Sequence, residues 1–178
     1  MKKRTKAILT VYLALLLLVG IGSYTYMSDY YHADEVAVAA IAYQADDVQI
    51  EQDGNVTWFI PQEPTAGLIF YPGGKVEYTA YAPLLRACAE KGILCALVRM
   101  PGNLAVLDAN AADGLQEKHP EITTWYIAGH SLGGAMAANY AAAHSADYNG
   151  LILLAAYSTK ISLRRPCGYS PSTARRMG

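Results

Sequence analysis

The stretch Trp125-Tyr126-Ile127-Ala128-Gly129-His130-Ser131-Leu132-Gly133 decides how this sequence is interpreted. Its first four residues are aromatic or aliphatic and predict a buried strand, while the small residues after Leu132 predict a helix that continues to His144. Two glycines flank the serine between the strand and the helix, which matches the pattern G-x-S-x-G. The sequence therefore predicts a strand–turn–helix unit that projects the hydroxyl of Ser131 above the carboxyl end of a sheet.

Each residue type in this turn suits a nucleophilic serine. Ser131 must lie on a strained turn, and Gly129 and Gly133 remove side chains that would clash there. The N–H of Leu132, at the start of the helix, points toward the oxyanion that forms when a serine attacks a carbonyl. His130 is adjacent to the nucleophile, and we expect its side chain to point away from the hydroxyl. A glycine-flanked serine that only caps a helix is the alternative.

A second glycine-containing turn, Tyr71-Pro72-Gly73-Gly74-Lys75, follows the short apolar run 67–71. The carboxyl ends of parallel strands lie at one edge of a sheet, so this turn and the serine turn are expected together. The turn is similar to an HGGG-type oxyanion loop in which Tyr71 replaces the histidine. We expect the second oxyanion donor to be the N–H of Gly74 or Lys75. An ordinary Pro-Gly turn is the alternative.

Strands alternate with helices on both sides of the serine turn. Short apolar runs predict strands at 67–71, 93–98, 125–128 and 151–156, and helical periodicity is found at 81–91, 104–118 and 131–144. Ahead of them, alternating runs around Asp53-Gly54 predict a β-hairpin. Buried strands joined by helices indicate a parallel sheet covered on both faces. The predicted class is α/β, a three-layer sandwich with a mostly parallel central sheet over 48–160.

The N-terminus carries a membrane signal. Basic residues within 2–6 precede an apolar run that ends near Tyr26. About twenty helical residues at 1.5 Å each span roughly 30 Å, the hydrocarbon thickness of a bilayer. Because the basic flank should stay cytoplasmic, 1–27 is expected to be a single-pass anchor with the domain outside the cytoplasm. A cleaved signal peptide, which would give a secreted protein, is the alternative. Residues 28–47 are predicted to form a connecting helix.

Composition excludes several classes of function. A chain of 178 residues has room for one domain, and its 53% hydrophobic content suits a packed core. The formal net charge of −1 leaves no electrostatic footprint for a nucleic acid partner. No cluster of cysteine and histidine has the spacing of a metal site, so we expect neither a metal nor another cofactor.

Three blocks of the sequence resemble a known family; they are 66–78, 129–134 and 150–158. They resemble bacterial α/β-hydrolases of the dienelactone-hydrolase-like, "alpha/beta hydrolase 5" kind, and the likeness extends from about Tyr31 to Lys160. The resemblance implies hydrolysis of an ester, thioester or related acyl bond of a small-molecule substrate through an acyl-serine intermediate. It also implies a location at the bacterial cell membrane if the N-terminal anchor is retained. A non-catalytic, membrane-tethered binding module with the same fold is the alternative.

After Ser131 the sequence departs from the family's pattern. In such folds the catalytic triad runs serine, acid, histidine along the chain. Here the acid and the histidine that follow Ser131 are Asp147 and His144, which lie between the helix and the next strand. That places both at the opposite edge of the sheet from the serine. We therefore expect the triad acid and histidine to be absent, and the chain as it stands to be weakly active or inactive.

The segment 161–178 is unlike the rest of the domain, because it contains four arginines, no acidic residue and no strand pattern. We expect an aberrant, disordered tail. Restoring one base after the Lys160 codon lets the same DNA, with free wobble bases, encode DLSAAPLRVLPIYGTADG, a buried strand followed by an aspartate. The hypothesis is a one-base deletion at this codon; a fragment from an assembly edge is the alternative. Resequencing decides, since an intact frame with independent support would contradict the deletion.

Overall fold

The computed structural model describes residues 3–42 and 47–158, and its centre is a six-stranded sheet. The strands are β1 (Val48–Asp53), β2 (Val56–Pro61), β3 (Ala66–Tyr71), β4 (Ile93–Val98), β5 (Trp125–His130) and β6 (Gly150–Leu154). Their spatial order is β1-β2-β4-β3-β5-β6. Strands β4, β3, β5 and β6 are parallel, whereas β2 is antiparallel to both β1 and β4. The predicted hairpin, the α/β class and the mostly parallel sheet are confirmed.

Helices cover both faces of this sheet, and another helix precedes the sheet in the chain. They are α1 (Lys3–Ser28), α2 (Glu35–Ala42), α3 (Ala82–Ala89) and α4 (Leu132–Ala143). Between β4 and β5 the chain forms only short 3-10 turns, at Pro101–Asn103, Ala105–Leu107 and Gln116–Lys118. A further 3-10 turn, Tyr78–Tyr81, leads into α3.

The two faces of the sheet bury separate apolar cores. In β3, Leu68 and Phe70 pack with α3, whereas Ile69 and Tyr71 pack with α4. Successive side chains of a strand point to opposite faces, so a strand covered on both sides reads as a continuous apolar run. The continuous run of β3 therefore indicates helices on both faces, and the predicted three-layer sandwich is confirmed.

Helix α1 is long and apolar enough over Arg4–Ser28 to cross a membrane, and none of its apolar window is buried in the protein. A signal sequence near an N-terminus meets the same criterion of length and composition. The exposed side chains of α1 are large and apolar, as in Leu13, Leu17 and Val19. A helix that is apolar all round needs an apolar environment of its own.

The connecting segment 28–47 is not one helix, and that prediction was wrong over 29–34. Here Tyr31 pairs with the loop after β3: its N–H donates to the carbonyl of Lys75 at 2.8 Å, and its carbonyl accepts the N–H of Glu77 at 2.8 Å. These bonds to a distant segment satisfy backbone groups that a helix would pair internally. The segment 29–34 therefore holds the loop after β3 in place.

The predicted helix over 104–118 is also wrong. The buried hydroxyl of Tyr71 donates to the carbonyl of Ala109 at 3.1 Å and accepts the N–H of Ala112 at 2.9 Å. A side chain from β3 thus bonds the backbone groups that a continuous helix would use. The apolar periodicity of the segment is real, because Ala105 and Leu115 are buried, but it arises from turns packed on the sheet.

Strand β6 is the outer strand on its side of the described sheet. Its side chains Leu151, Ile152 and Leu154 are 37%, 45% and 36% exposed. Strands of a parallel sheet are normally covered on both faces. Within the described residues, the edge of the sheet at β6 is therefore open and apolar. The predictions for 161–178 and for the reading frame after Lys160 lie outside them.

Replacing Tyr71 by Phe should lower the free energy of unfolding by about 1–3 kcal/mol, because it leaves the buried N–H of Ala112 and the partly buried carbonyl of Ala109 without the phenol. Denaturant unfolding measures this. The matched control is Tyr157→Phe, since that side chain is 84% exposed. Equal effects of the two substitutions would contradict the assignment.

Candidate active site

Ser131 occupies the strained turn that the sequence predicts between β5 and α4. Its backbone has φ 50° and ψ −121°, and its side chain is exposed. A positive φ costs a non-glycine residue about 1–3 kcal/mol and persists only where the surroundings impose it. Two hydrogen bonds do so: the N–H of Ser131 donates to the carbonyl of Leu154 at 2.9 Å, and its carbonyl accepts the N–H of Ala135 at 3.1 Å.

The flanking glycines allow backbone segments to touch. A Cβ on Gly129 would lie 2.6 Å from the carbonyl carbon of Gly133. A Cβ on Gly133 would lie 2.1 Å from the carbonyl oxygen of Pro72 and 2.4 Å from that of Tyr71. Neither approach is possible with a side chain in place. The first turn of α4 therefore packs directly on the loop after β3, and both glycines have the steric purpose that the sequence predicts.

The two candidates for the second oxyanion donor differ in how their N–H groups are used. The N–H of Lys75 donates to the carbonyl of Asn103 at 2.9 Å, so Lys75 does not supply a donor in this arrangement. Among the described residues, the N–H groups of Gly74 and Leu132 have no protein acceptor. The two residues are neighbours, because a Cβ on Gly74 would be 2.9 Å from Cδ2 of Leu132. Gly74 and Leu132 remain as the candidate donors.

His130 is joined to the same loop through Tyr81, a residue that no sequence motif identified. The hydroxyl of Tyr81 lies 2.9 Å from Nδ1 of His130 and accepts the N–H of Gly73 at 3.1 Å. Since this oxygen already accepts from Gly73, its own proton is available to Nδ1. Burial raises the pKa of Tyr81, which keeps the phenol protonated. Through Tyr81, His130 therefore helps to hold the loop after β3 in place.

No histidine of the sequence hydrogen-bonds Ser131 in the part of the chain that the structure describes. Their partners form the pairs His32–Glu77, His119–Glu121, His130–Tyr81 and His144–Tyr140. His144 follows the last residue of α4, whose twelve residues put it about 18 Å from Ser131 along the helix axis. The predicted separation of His144 and Asp147 from Ser131 agrees with this position. Over the described ranges, no group of His, Cys, Asp or Glu could hold a metal ion.

Charged side chains of the loop after β3 bind the segment that follows α1. The ammonium of Lys75 lies 2.9 Å from a carboxylate oxygen of Asp29, which lowers the pKa of Asp29 and raises that of Lys75. Glu77 accepts the N–H of Ala33 at 3.0 Å, and this bond is the main cause of its lowered pKa. Lys75 and Glu77 thus fix the loop to the segment that follows α1.

Ala at position 133 should destabilise the protein by about 3 kcal/mol or more, because its Cβ would overlap the carbonyl oxygens of Tyr71 and Pro72. Thermal unfolding measures the loss. Gly20→Ala is the control, since nothing lies within 4 Å of a Cβ there. A Gly133→Ala variant as stable as this control would contradict the packing described.

Replacing Glu77 by Gln should remove a stabilisation that depends on pH. The folded pKa of Glu77 is lowered from 4.5, so its contribution is present above about pH 4.5 and is lost as the pH falls through the folded value. The variant should be less stable than the parent at pH 7, and the difference should vanish in acid. Urea unfolding at several pH values measures this, with the exposed Glu63→Gln as control. A pH-independent difference would refute it.

Comparison with known proteins places this geometry in context. The model of the alpha/beta hydrolase family matches residues 67–167, more than half of the chain. Similar solved structures are a bacterial heroin esterase (21% identity, 66% of this chain and 48% of that chain, TM-score 0.51) and a Thermus thermophilus protein (20%, 60% and 56%, TM-score 0.50). A carboxyl esterase from Bacillus coagulans also matches (20%, 62% and 44%, TM-score 0.43). The chain spans about half the length of these structures. No curated protein matches it.

Proposed function

The chain belongs to the alpha/beta hydrolase family, and from this premise we propose that it is a membrane-anchored serine hydrolase with Ser131 as nucleophile. The proposed substrate contains an ester, thioester or related acyl bond. The observation that carries the proposal is the strained backbone of Ser131, with φ 50°, on a turn that packs against the loop after β3. In that loop the N–H of Gly74 has no acceptor among the described residues. Strain of this kind is concentrated at functional sites.

The proposed reaction has two steps. The hydroxyl oxygen of Ser131 attacks the carbonyl carbon, the bond to the leaving oxygen or sulfur breaks, and the leaving group departs with the serine proton. Water then attacks the acyl-serine, releases the carboxylic acid and restores the hydroxyl. In both steps the negative oxygen would accept the N–H groups of Leu132 and Gly74. One such donor typically contributes about 10²–10³-fold in rate.

General base catalysis is the step that the described residues support least, because His130 bonds Tyr81 and the other histidines bond elsewhere. We propose that the triad histidine and acid follow Lys160 in the restored reading frame. The chain as it stands would then have only oxyanion stabilisation and substrate binding. Losing the base typically costs more than about 10³-fold.

We propose that the anchor is retained, and contacts hold the end of α1 against the domain. Met27 covers Gly102 so closely that a Cβ there would lie 2.0 Å from the methionine methyl group. The ring of Tyr26 lies 4.6 Å from the ammonium of Lys75, which also pairs with Asp29. Cleavage after Met27 would remove the first two of these contacts, whereas cleavage nearer the N-terminus would leave them. With the anchor retained, the proposed location is the cell membrane, with the domain on its outer side.

Labelling by a fluorophosphonate probe tests the serine mechanism. The frame-restored form should label at least about 10³-fold faster than the chain as it stands, because only the former would carry the proposed triad base that activates the serine. Ser131→Ala should abolish labelling of both. Ser145→Ala, which changes an exposed serine beyond the far end of α4, is the matched control and should label like its parent.

Failure of the frame-restored form to label would overturn the serine mechanism. Retained binding of acyl compounds by such a form would then favour the non-catalytic binding module. Labelling that persists in Ser131→Ala would place the reactive group elsewhere.

A further inference from the structure

An apolar groove lies between the end of α1 and the turn after β4. One wall is formed by α1 residues that include Val19, Tyr26 and Met27, and the other by Leu104 and Leu107. Its volume is about 440 Å³, within the range of small-molecule sites. The residues that line it are mainly apolar and none of them is charged, so the groove suits a hydrocarbon ligand.

The groove adjoins the proposed oxyanion site through Leu104. A Cβ on Gly74 would lie 3.6 Å from Cδ2 of Leu104 and 2.9 Å from Cδ2 of Leu132. The side chain of Leu104 therefore lies beside Gly74, whose N–H is the proposed second donor, and it also lines the groove. A ligand in the groove would have one end beside the turn of Ser131.

The groove's position relative to a bilayer follows from α1. The wall residues Val19 to Met27 form the end of the apolar span that lies away from the basic N-terminus. With the basic flank in the cytoplasm, this end belongs in the outer leaflet and its interface. On the facing wall, Leu107 and its neighbour Val106 are 55% and 56% exposed. Exposed apolar side chains beside a membrane helix are stabilised when lipid buries them.

The end of α1 is held against the domain, so the groove has defined walls. Met27 packs on Gly102, and Lys75 binds Asp29 at 2.9 Å just after the helix. The loop that carries Gly74 is thereby fixed to the same helix end that enters the membrane.

We propose that the substrate is an acyl ester of the outer leaflet, whose acyl chain lies in this groove and whose carbonyl reaches Ser131. The inference rests on the proposed serine hydrolase function and adds the source of the substrate. The acyl chain of the substrate enters the groove from the lipid phase along α1, and the leaving alcohol is released toward water.

The first test uses the full chain in phosphatidylcholine vesicles that contain a phospholipid with a photoreactive diazirine in its acyl chain. Trypsin cuts after Lys75, Arg86, Arg99 and Lys118, which isolates peptides 76–86 and 100–118. The adduct should appear on 100–118, which holds the groove wall. It should be missing from 76–86, whose Leu84 is an equally apolar control, 45% exposed. Leu107→Asp should reduce the adduct on 100–118 about tenfold. No adduct there, or equal adducts on both peptides, would overturn the groove.

The second test links the groove to the reaction. Labelling of the frame-restored form is measured with a hexadecyl and with a short-chain fluorophosphonate. Leu107→Asp should lower the ratio of the long-chain to the short-chain rate about tenfold, whereas Leu84→Asp should leave it unchanged. The hexadecyl probe should label more slowly when it is placed in vesicles that contain no protein, because its alkyl chain is expected to enter the groove from the bilayer that holds the protein.

The outcomes separate the two proposals. If neither probe labels Ser131, the proposed function fails, while the photolabelling still reports on the groove. If both probes label but their ratio is insensitive to Leu107→Asp, the serine mechanism stands and the lipid substrate is refuted. Equally fast labelling from separate vesicles would show that the acyl chain arrives from solution and would also refute it.

Discussion

The close approach of Gly133 to the carbonyl oxygens of Tyr71 and Pro72 is the constraint on which the site depends. Because a Cβ would lie only 2.1 Å from one of these oxygens, the first turn of α4 reaches the loop after β3 only without a side chain. This contact brings Leu132 beside Gly74 and holds Ser131 in its strained conformation. The strain, about 1–3 kcal/mol, is offset by the packing of the two parallel strands that carry the turns.

The sheet was largely predictable because its signals are local or strictly periodic. The continuous apolar run of β3 reflects burial on two faces, with Phe70 in one core and Ile69 in the other. The segment 104–118 was not predictable in the same way. Its apolar residues are spaced as in a helix, yet the hydroxyl of Tyr71 captures its backbone groups. That competition comes from a strand distant in sequence, and periodicity within the segment contains no sign of it.

The residues of the candidate site likewise fall into a part that the sequence predicts and a part that it does not. The positions of Ser131, Gly129 and Gly133 follow from a motif whose glycines have a steric cause. The choice between Gly74 and Lys75 depends on the carbonyl of Asn103, which accepts the N–H of Lys75, whereas the N–H of Gly74 has no acceptor among the described residues. Tyr81 was missed because it acts through contacts made only in the folded chain, with Gly73 and with His130. Sequence therefore identifies the groups that chemistry requires, and folding selects which backbone atoms remain available.

The loop after β3 is held from two sides, and this gives the N-terminal segment a part in the site. On one side the loop packs against Gly133. On the other, Lys75 binds Asp29 through its side chain and Tyr31 through its carbonyl. A tether that only kept the domain near a membrane would not need to bond the backbone beside the proposed oxyanion donor, Gly74. Since the residues after α1 determine where Gly74 lies, the placement of α1 and the geometry around Ser131 are set together.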